Sequence, residues 1–142
     1  MDFKKEKSAG YLANHMARLF ANALHERIRP LGLAPAQFMT LLELWEEDGL
    51  TQKDLVRRLD IEQATMANTL KRMERDGLIV RQENPTDRRA QLIRLTDKAR
   101  ALQDDATAAA NEVNGIALSG LSDEERRGFI KVMARVIGAL SG

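Results

Sequence analysis

The 142-residue chain contains no cysteine, which excludes disulfides, cysteine-ligated metal sites and cysteine-based redox sensing. Its only histidines, His15 and His25, would lie on different sides of a helix and about 15 Å apart along its axis, so we expect no metal and no cofactor. No apolar run approaches membrane-spanning length, and the N-terminal MDFKKEK lacks the apolar core of a signal peptide. We therefore expect a soluble, cytoplasmic protein without a membrane partner.

A strong excess of one charge is also missing, because the net charge is only +1. The content of 44% hydrophobic and 30% charged residues is typical of a globular chain, and the length fits one domain. Charge is unevenly distributed, since residues 51–95 carry ten Lys and Arg against seven Asp and Glu. This balance of +3, against −2 elsewhere, modestly favours a middle segment that faces DNA.

The first apolar pattern predicts a long amphipathic helix from Ser8 to Arg29, ended by Pro30 and Gly32. A helix of about 22 residues is roughly 33 Å long, which exceeds what one small helical unit can cover. Its excess apolar face therefore needs another partner, and a second subunit is the economical one.

Further helices are expected along the rest of the chain. Pro35 suits the first turn of the second helix, Thr51 with Asp54 caps a short third helix, and Ser122 with Glu125 opens the last one. The predicted ranges are 35–47, 51–59, 63–75, 97 to 115 or 118, and 122 onward, and the fold should be overwhelmingly helical.

Residues 63–75 have two contrasting faces. Met66, Leu70 and Met73 form an apolar stripe that continues from Ile61. The opposite face carries side chains that donate and accept hydrogen bonds, as base and phosphate contacts require; with the preceding glutamine, they are Gln63, Thr65, Asn68, Thr69 and Arg72. An ordinary solvated face is the alternative interpretation of this helix taken alone.

A hairpin follows this helix directly, with strands at Ile79–Arg81 and Leu92–Leu95. Its loop ends in Arg88 and Arg89, and arginine is favoured in a narrow minor groove. Asp87 can orient an arginine two residues away through a charge-assisted bond, although a solvated polar loop is the alternative. A helix followed by a basic-tipped hairpin is typical of a winged helix-turn-helix, in which each contacts a different groove.

This segment resembles the MarR family of bacterial winged helix-turn-helix transcription regulators. The resemblance lies in Asp87-Arg88-Arg89, in Leu95-Thr96 and in the run from Glu74 to Arg81, and it extends from about Ala13 to Leu140. Gln37 also matches a family glutamine. The chain departs from the pattern at Met73, where leucine is usual, and at Ala34, where a capping threonine is usual. It also departs near Glu62, where serine is common. We expect the Glu62 side chain to cap the recognition helix instead.

The resemblance implies a mainly α protein whose N- and C-terminal helices form a dimerisation region. It divides the chain into residues 1–34, 35–96 and 97–142, the middle part being the DNA-binding region. A homodimer would place two recognition helices about 34 Å apart on double-stranded DNA, at a pseudo-palindromic operator. Arg89 takes the family's minor-groove position with Asp87 as its orienting partner, beside Arg88, and Lys53, Arg57 and Arg58 are either phosphate contacts or solvated side chains.

The resemblance also implies a small aromatic or phenolic effector that acts through its preference for one dimer spacing. Rings and an anion partner are available in the set Tyr11, His15, Arg18, Phe38 and Trp45, of which Phe38 and Trp45 have plain core packing as the alternative. The acidic residues lie in caps and turns, so no enzyme is expected. A winged-helix module that binds protein instead of DNA remains the alternative function, and the sequence is silent on repression against activation.

Overall fold

The computed structural model describes residues 2–142, in which helices dominate and three short strands form one sheet. The helices are α1 Ala9–Ile28, α2 Pro35–Glu46, α3 Gln52–Leu59, α4 Gln63–Arg75, α5 Asp97–Ala101, α6 Gln103–Ala117 and α7 Asp123–Ser141. The strands are β1 Leu50–Thr51, β2 Ile79–Glu83 and β3 Gln91–Leu95. The predicted mainly α fold is confirmed.

The long first helix begins and ends where the sequence predicts, within one residue. The Ser8 hydroxyl accepts a hydrogen bond from Tyr11 N at 3.2 Å, and a 3-10 turn at Arg29–Leu31 follows the helix. Gly32 has φ +81°, a left-handed conformation that glycine adopts without strain. This turn redirects the chain into α2.

The start of α2 compensates in part for the missing threonine cap. Ala34 has no side-chain acceptor, but Gln37 Oε1 accepts a hydrogen bond from Ala34 N at 3.1 Å. This is the reciprocal half of a capping box. Gln37 itself is buried, and the nitrogen of its side-chain amide forms a hydrogen bond with Asp76 at the end of α4.

The winged-helix core is built on the predicted apolar stripe of α4. Met66, Leu70 and Met73 are at most 1% exposed, and burying each such side chain contributes about 1.5–3 kcal/mol. They join α2 and the sheet through Phe38, Leu41 and other members of one hydrophobic cluster. The burial of this stripe turns the opposite face of α4 toward solvent.

The sheet has the order β1-β3-β2 and is antiparallel throughout. Ile79 faces Leu95 and Glu83 faces Gln91, so both hairpin strands are longer than predicted. Strand β1, in which Leu50 pairs with Ile93, was not predicted, because a strand of two residues shows no periodicity. Through β1, the hairpin is attached to the segment that begins α3.

The prediction of one helix from Asp97 to residue 115 or 118 is wrong at Leu102, where α5 ends and α6 begins. Leu102 N donates to Ala99 O at 3.3 Å, three residues back, which tightens the helix locally. Trp45 Nε1 donates to the same carbonyl at 3.1 Å, so tertiary contacts hold α5 against the winged-helix core.

Apolar side chains remain exposed where α1, α6 and α7 meet. Within the described part of the chain, α7 contributes no buried residue, and Ile28 is the only buried residue of α1. The three helices border a cavity of about 920 Å³, which we call the apolar groove. Its lining comprises Met16, Leu19, Phe20, Ala23, Arg27, Val113, Ile116, Ala117, Leu118, Gly120, Leu121, Glu125, Gly128, Phe129 and Val132.

Candidate nucleic-acid interface

The solvent face of α4 carries the predicted hydrogen-bonding side chains. Gln63, Thr65, Asn68 and Arg72 are exposed, whereas Thr69 is half-buried. A rigid helix that is fixed by a fully buried stripe and presents amides, a hydroxyl and a guanidinium has the chemistry of major-groove recognition. Thr69 therefore lies closer to the protein interior than the other four side chains.

The start of α4 corrects one detail. Glu62 occupies the N-cap position, but its side chain makes no capping hydrogen bond and is exposed. The suggestion that Glu62 caps this helix is therefore wrong. Gln63, the next residue, is instead tied to α3, because its Oε1 accepts a hydrogen bond from Gln52 Nε2 at 3.3 Å.

The hairpin loop is ordered by two side chains that fold back on the backbone. Asn84 Oδ1 accepts from Thr86 N at 3.0 Å, and Asp87 Oδ1 accepts from Arg89 N at 3.0 Å. The same Asp87 oxygen lies 3.6 Å from Arg89 Nε. Such Asx-type bonds fix a turn that would otherwise be flexible.

At the loop tip the two arginines project into solvent. The side chains of Arg88 and Arg89 are 91% and 94% exposed, and their ion-pair partners are the exposed carboxylates of Glu83 and Asp87. Exposed pairs of this kind contribute little to stability. The guanidinium groups are thus available to an anionic partner, and Asp87 lies where the sequence analysis placed it, beside Arg89.

Asp48 anchors the base of the hairpin. Its Oδ1 accepts hydrogen bonds from Gly49 N and Leu95 N, both at 2.9 Å. Its Oδ2 lies 3.2 Å from Arg100 Nη2 and 3.9 Å from Arg94 Nη1. The sequence around Asp48 gives no local signal of its link to Leu95, which lies 47 residues away in β3.

The far end of α4 is joined to α2 through another carboxylate. Asp76 Oδ2 accepts from Gln37 Nε2 at 3.0 Å, and Asp76 Oδ1 accepts from Arg75 Nε at 3.1 Å. The bond from Arg75 and then that from Gln37 lower the pKa of Asp76. The bond between Gln37 and Asp76 therefore joins the C-terminal end of α4 to α2.

The three basic residues of α3 differ in their availability. Arg58 Nη2 lies 2.6 Å from Glu47 Oε1, and this bond is the main reason that the pKa of Arg58 is raised. Arg57 faces Asp54 at 3.7 Å, whereas Lys53 is exposed and has no ion pair among residues 2–142. Lys53 is therefore the better phosphate candidate, and Arg58 mainly joins α3 to α2.

The five effector candidates form two separate groups. Tyr11, His15 and Arg18 are exposed on α1, with the rings of Tyr11 and His15 6.3 Å apart and Arg18 bonded to Asn14. Phe38 is buried in the core and packs edge-on against Trp45, with centroids 6.0 Å apart. None of the five lines the apolar groove.

The described residues contain neither a candidate metal site nor a candidate membrane-spanning helix. Between residues 2 and 142, no three His, Cys, Asp or Glu side chains lie together in a way that could hold a metal ion. Over the same range, no helix combines the length and the apolar character needed to cross a membrane.

Comparisons with known proteins agree with this geometry. A model of the MarR family matches residues 31–90. The chain is 28% identical to a MarR transcriptional regulator from Methanosarcina mazei Go1, covering 92% of this chain and 94% of that one with a TM-score of 0.86.

Two further structures share the fold at lower identity. A Listeria monocytogenes protein solved as a complex with 26mer DNA is 24% identical, with 95% and 90% of the two chains covered and a TM-score of 0.88. BpsR of Bordetella bronchiseptica, whose DNA binding is regulated by 6-hydroxynicotinic acid, is also 24% identical, with 96% and 97% covered and a TM-score of 0.87.

The exposed face of α4 and the arginine-tipped hairpin define a winged helix-turn-helix protein. The family model that matches residues 31–90 and the structural relatives confirm the resemblance of this chain to the MarR family.

Proposed function

We propose that the protein represses transcription by binding a pseudo-palindromic operator as a homodimer. The observation that carries this proposal is the exposed polar face of α4, which is backed by a fully buried stripe and followed by a hairpin tipped with two exposed arginines. Repression would follow from steric occlusion of a promoter. The DNA complex of the Listeria protein supports the same use of this fold here.

The contacts divide into two kinds. Gln63, Thr65, Asn68, Thr69 and Arg72 lie on or beside the exposed face of α4 and are the proposed major-groove contacts. Arg88 and Arg89 are the proposed contacts of the wing with the minor groove, where the potential is most negative. Asp87 acts indirectly, by holding the loop and the Arg89 side chain.

Dimerisation would involve residues 1–34 and 97–142, which leave residues 35–96 for DNA. The apolar groove supports this division, because a second copy would cover the exposed Leu19, Ile116 and Val132. Two-fold symmetry then requires that the operator repeat each half-site in inverted orientation.

A small aromatic or phenolic effector would release the DNA by favouring a different dimer spacing. The regulation of BpsR by 6-hydroxynicotinic acid supports an effector of this class. Tyr11, His15 and Arg18 supply rings and a cation on the exposed face of α1, whereas Phe38 and Trp45 would have to act from within the core. A titration of the protein–operator complex with hydroxylated aromatic acids tests this step.

The experiment that tests the DNA interface compares Arg89→Ala with Asn68→Ala. We expect Arg89→Ala to weaken binding to every duplex, because the wing contacts the minor groove, where base identity is poorly distinguished. Asn68→Ala should instead change the preference between sequences, by about 1–3 kcal/mol at one base pair per half-site. Binding isotherms on operator and random duplexes measure both effects, and equal losses for both variants on both duplexes would contradict the proposed division.

A further inference from the structure

One hydrogen bond joins the first residues of the two helices of the helix-turn-helix. Gln52 begins α3 and Gln63 begins α4, and Gln52 Nε2 donates to Gln63 Oε1 at 3.3 Å. Gln63 is exposed, while Gln52 is half-buried. The bond therefore links a partly enclosed side chain to one that faces the proposed DNA surface.

The chemistry of the amide makes this bond informative. A glutamine oxygen has two lone pairs and its nitrogen has two N–H donors. Because Gln52 uses one lone pair of Gln63, the Gln63 amide retains one acceptor site and both donors. The terminal torsion of a glutamine is broad, so an unheld amide samples many orientations, and this bond restricts them.

The groups that remain on Gln63 match one base. Adenine presents the N7 acceptor and the N6 donor in the major groove, and an amide pairs with both at once. Guanine presents two acceptors, N7 and O6, so only the N–H₂ group of the amide could bind there and the Gln63 oxygen would face an acceptor without a donor. We propose that Gln52 is a positioning residue that holds the Gln63 amide for adenine and thereby sets one position of the operator sequence.

This inference rests on the proposed DNA binding and adds a residue to it. Gln52 acts through Gln63 and does not itself contact a base. A side chain that holds a recognition group in place raises specificity by reducing the ordering needed on binding. Loss of Gln52 should therefore change the preference at the base pair that Gln63 contacts, which a residue needed only for folding would not do.

The test uses the full-length protein with Gln52→Met, which keeps the length of the side chain but removes the amide. Gln103→Met is the matched control, since Gln103 is an exposed glutamine at the first position of α6, lies outside the helix-turn-helix and does not line the apolar groove. Sequences are selected from a random duplex pool for each protein, and affinities are then measured on operators changed at single base pairs. Thermal melts confirm that each variant is folded.

We expect the wild type to require adenine at one base pair in each half-site, and Gln52→Met to bind that operator about fivefold more weakly with the adenine preference relaxed. Gln63→Met should relax the same position, and the double variant should bind no more weakly than Gln63→Met. Gln103→Met should behave as the wild type.

Several results would overturn the inference. In Gln52→Met, the base preference could be unchanged, or the affinity could fall equally on all duplexes, as for a lost phosphate contact. In the double variant, the two affinity losses could multiply, as for independent residues. In the wild type, the base preferred at the position that Gln63 controls could be one other than adenine. If the wild type enriches no sequence at all, the proposed function itself fails, and that outcome is distinct from a wild type that selects an operator indifferent to Gln52.

Discussion

Two carboxylates stabilise helix ends in the winged-helix region, that of Asp54 at the start of α3 and that of Asp76 at the end of α4. Asp54 Oδ2 accepts a hydrogen bond from Thr51 N at 3.0 Å, while the Thr51 hydroxyl accepts one from Asp54 N at 3.1 Å. This reciprocal pair caps α3. The bond from the Thr51 backbone is the main reason that the pKa of Asp54 lies below its ordinary value of 3.8.

Replacing Asp54 with asparagine tests this cap, because an amide oxygen is kept and the charge is removed. A carboxyl whose pKa is lowered on folding stabilises the protein above its unfolded pKa, and this stabilisation is lost as the pH falls through the folded pKa. We expect Asp54→Asn to lower the free energy of unfolding by about 0.5 kcal/mol at pH 7, a small value because solvent screens the partly exposed group.

The difference in the free energy of unfolding between Asp54→Asn and the wild type should become smaller below about pH 4. Denaturant unfolding at a series of pH values measures it. Asp104→Asn is the control, since Asp104 lies in the first turn of α6 but is exposed. A difference that stays constant down to acid pH would show that the charge of Asp54 is not what stabilises α3.

At the scale of elements, the hairpin depends on contacts outside its own two strands. Asp48 accepts hydrogen bonds from the backbone of β3 at Leu95 and from Gly49, and it faces Arg100 of α5. One side chain thus joins the end of α2 to the wing and to the helix that leads toward the apolar groove. The position of Arg88 and Arg89 follows from this anchoring.

Asp48→Ala should destabilise the fold by about 1–3 kcal/mol, because it removes the acceptor of the buried Leu95 N–H, whereas Gly49 N keeps its bond to Ile93 O. It should also weaken DNA binding, because the wing would be displaced. Asp48→Asn keeps an accepting oxygen and should therefore lose less stability and less operator affinity than Asp48→Ala. Urea unfolding and operator affinity measure the two effects.

Asp97→Ala is the control, since Asp97 also pairs with Arg100, at 3.1 Å, but is fully exposed. A loss of stability in Asp97→Ala as large as that in Asp48→Ala would contradict the anchoring role of Asp48.

How far the sequence predicts these elements depends on the range of the contacts that define them. The bounds of α4 agree at Gln63 and Arg75 because Met66, Leu70 and Met73 repeat at helical spacing. The strand β1 and the break at Leu102 were not predicted, because they depend on Ile93 and Trp45, which are distant in sequence.

The same distinction applies to the candidate interface. Residue type and spacing indicated the exposed arginines at the loop tip and the polar face of α4, since both are local patterns. The pairing of Arg58 with Glu47 and of Gln52 with Gln63 was not predicted, because each joins different helices. The DNA-contact roles of these residues stay predictions.

On the scale of the whole molecule, the first helix leaves apolar surface exposed, as expected from an apolar face that is larger than one subunit can cover. Leu19, Ile116 and Val132 are each more than half exposed although they are large aliphatic side chains, and they line the apolar groove together. Exposed apolar patches of this kind mark interaction surfaces. We propose that a second copy of the chain covers this surface.

Val132→Asp should therefore convert the dimer to a monomer, because burying an unpaired carboxylate in an apolar interface is strongly unfavourable. Light scattering after size-exclusion chromatography measures the mass, and operator affinity should fall by roughly a hundredfold or more as one half-site contact is lost. Met39→Asp is the control, since Met39 is 46% exposed and lies outside the groove. A Val132→Asp variant that remains dimeric and binds the operator normally would contradict the proposed use of the groove.

Selection of bound sequences from a random duplex pool, repeated at two salt concentrations, tests the central claim most directly. A dimeric regulator should enrich a two-fold-symmetric site with half-site centres about 34 Å apart, with affinity that falls steeply as salt rises. Salt-sensitive binding without an enriched sequence would contradict sequence-specific recognition by α4, and no binding at either salt would favour a winged helix that binds protein instead of DNA.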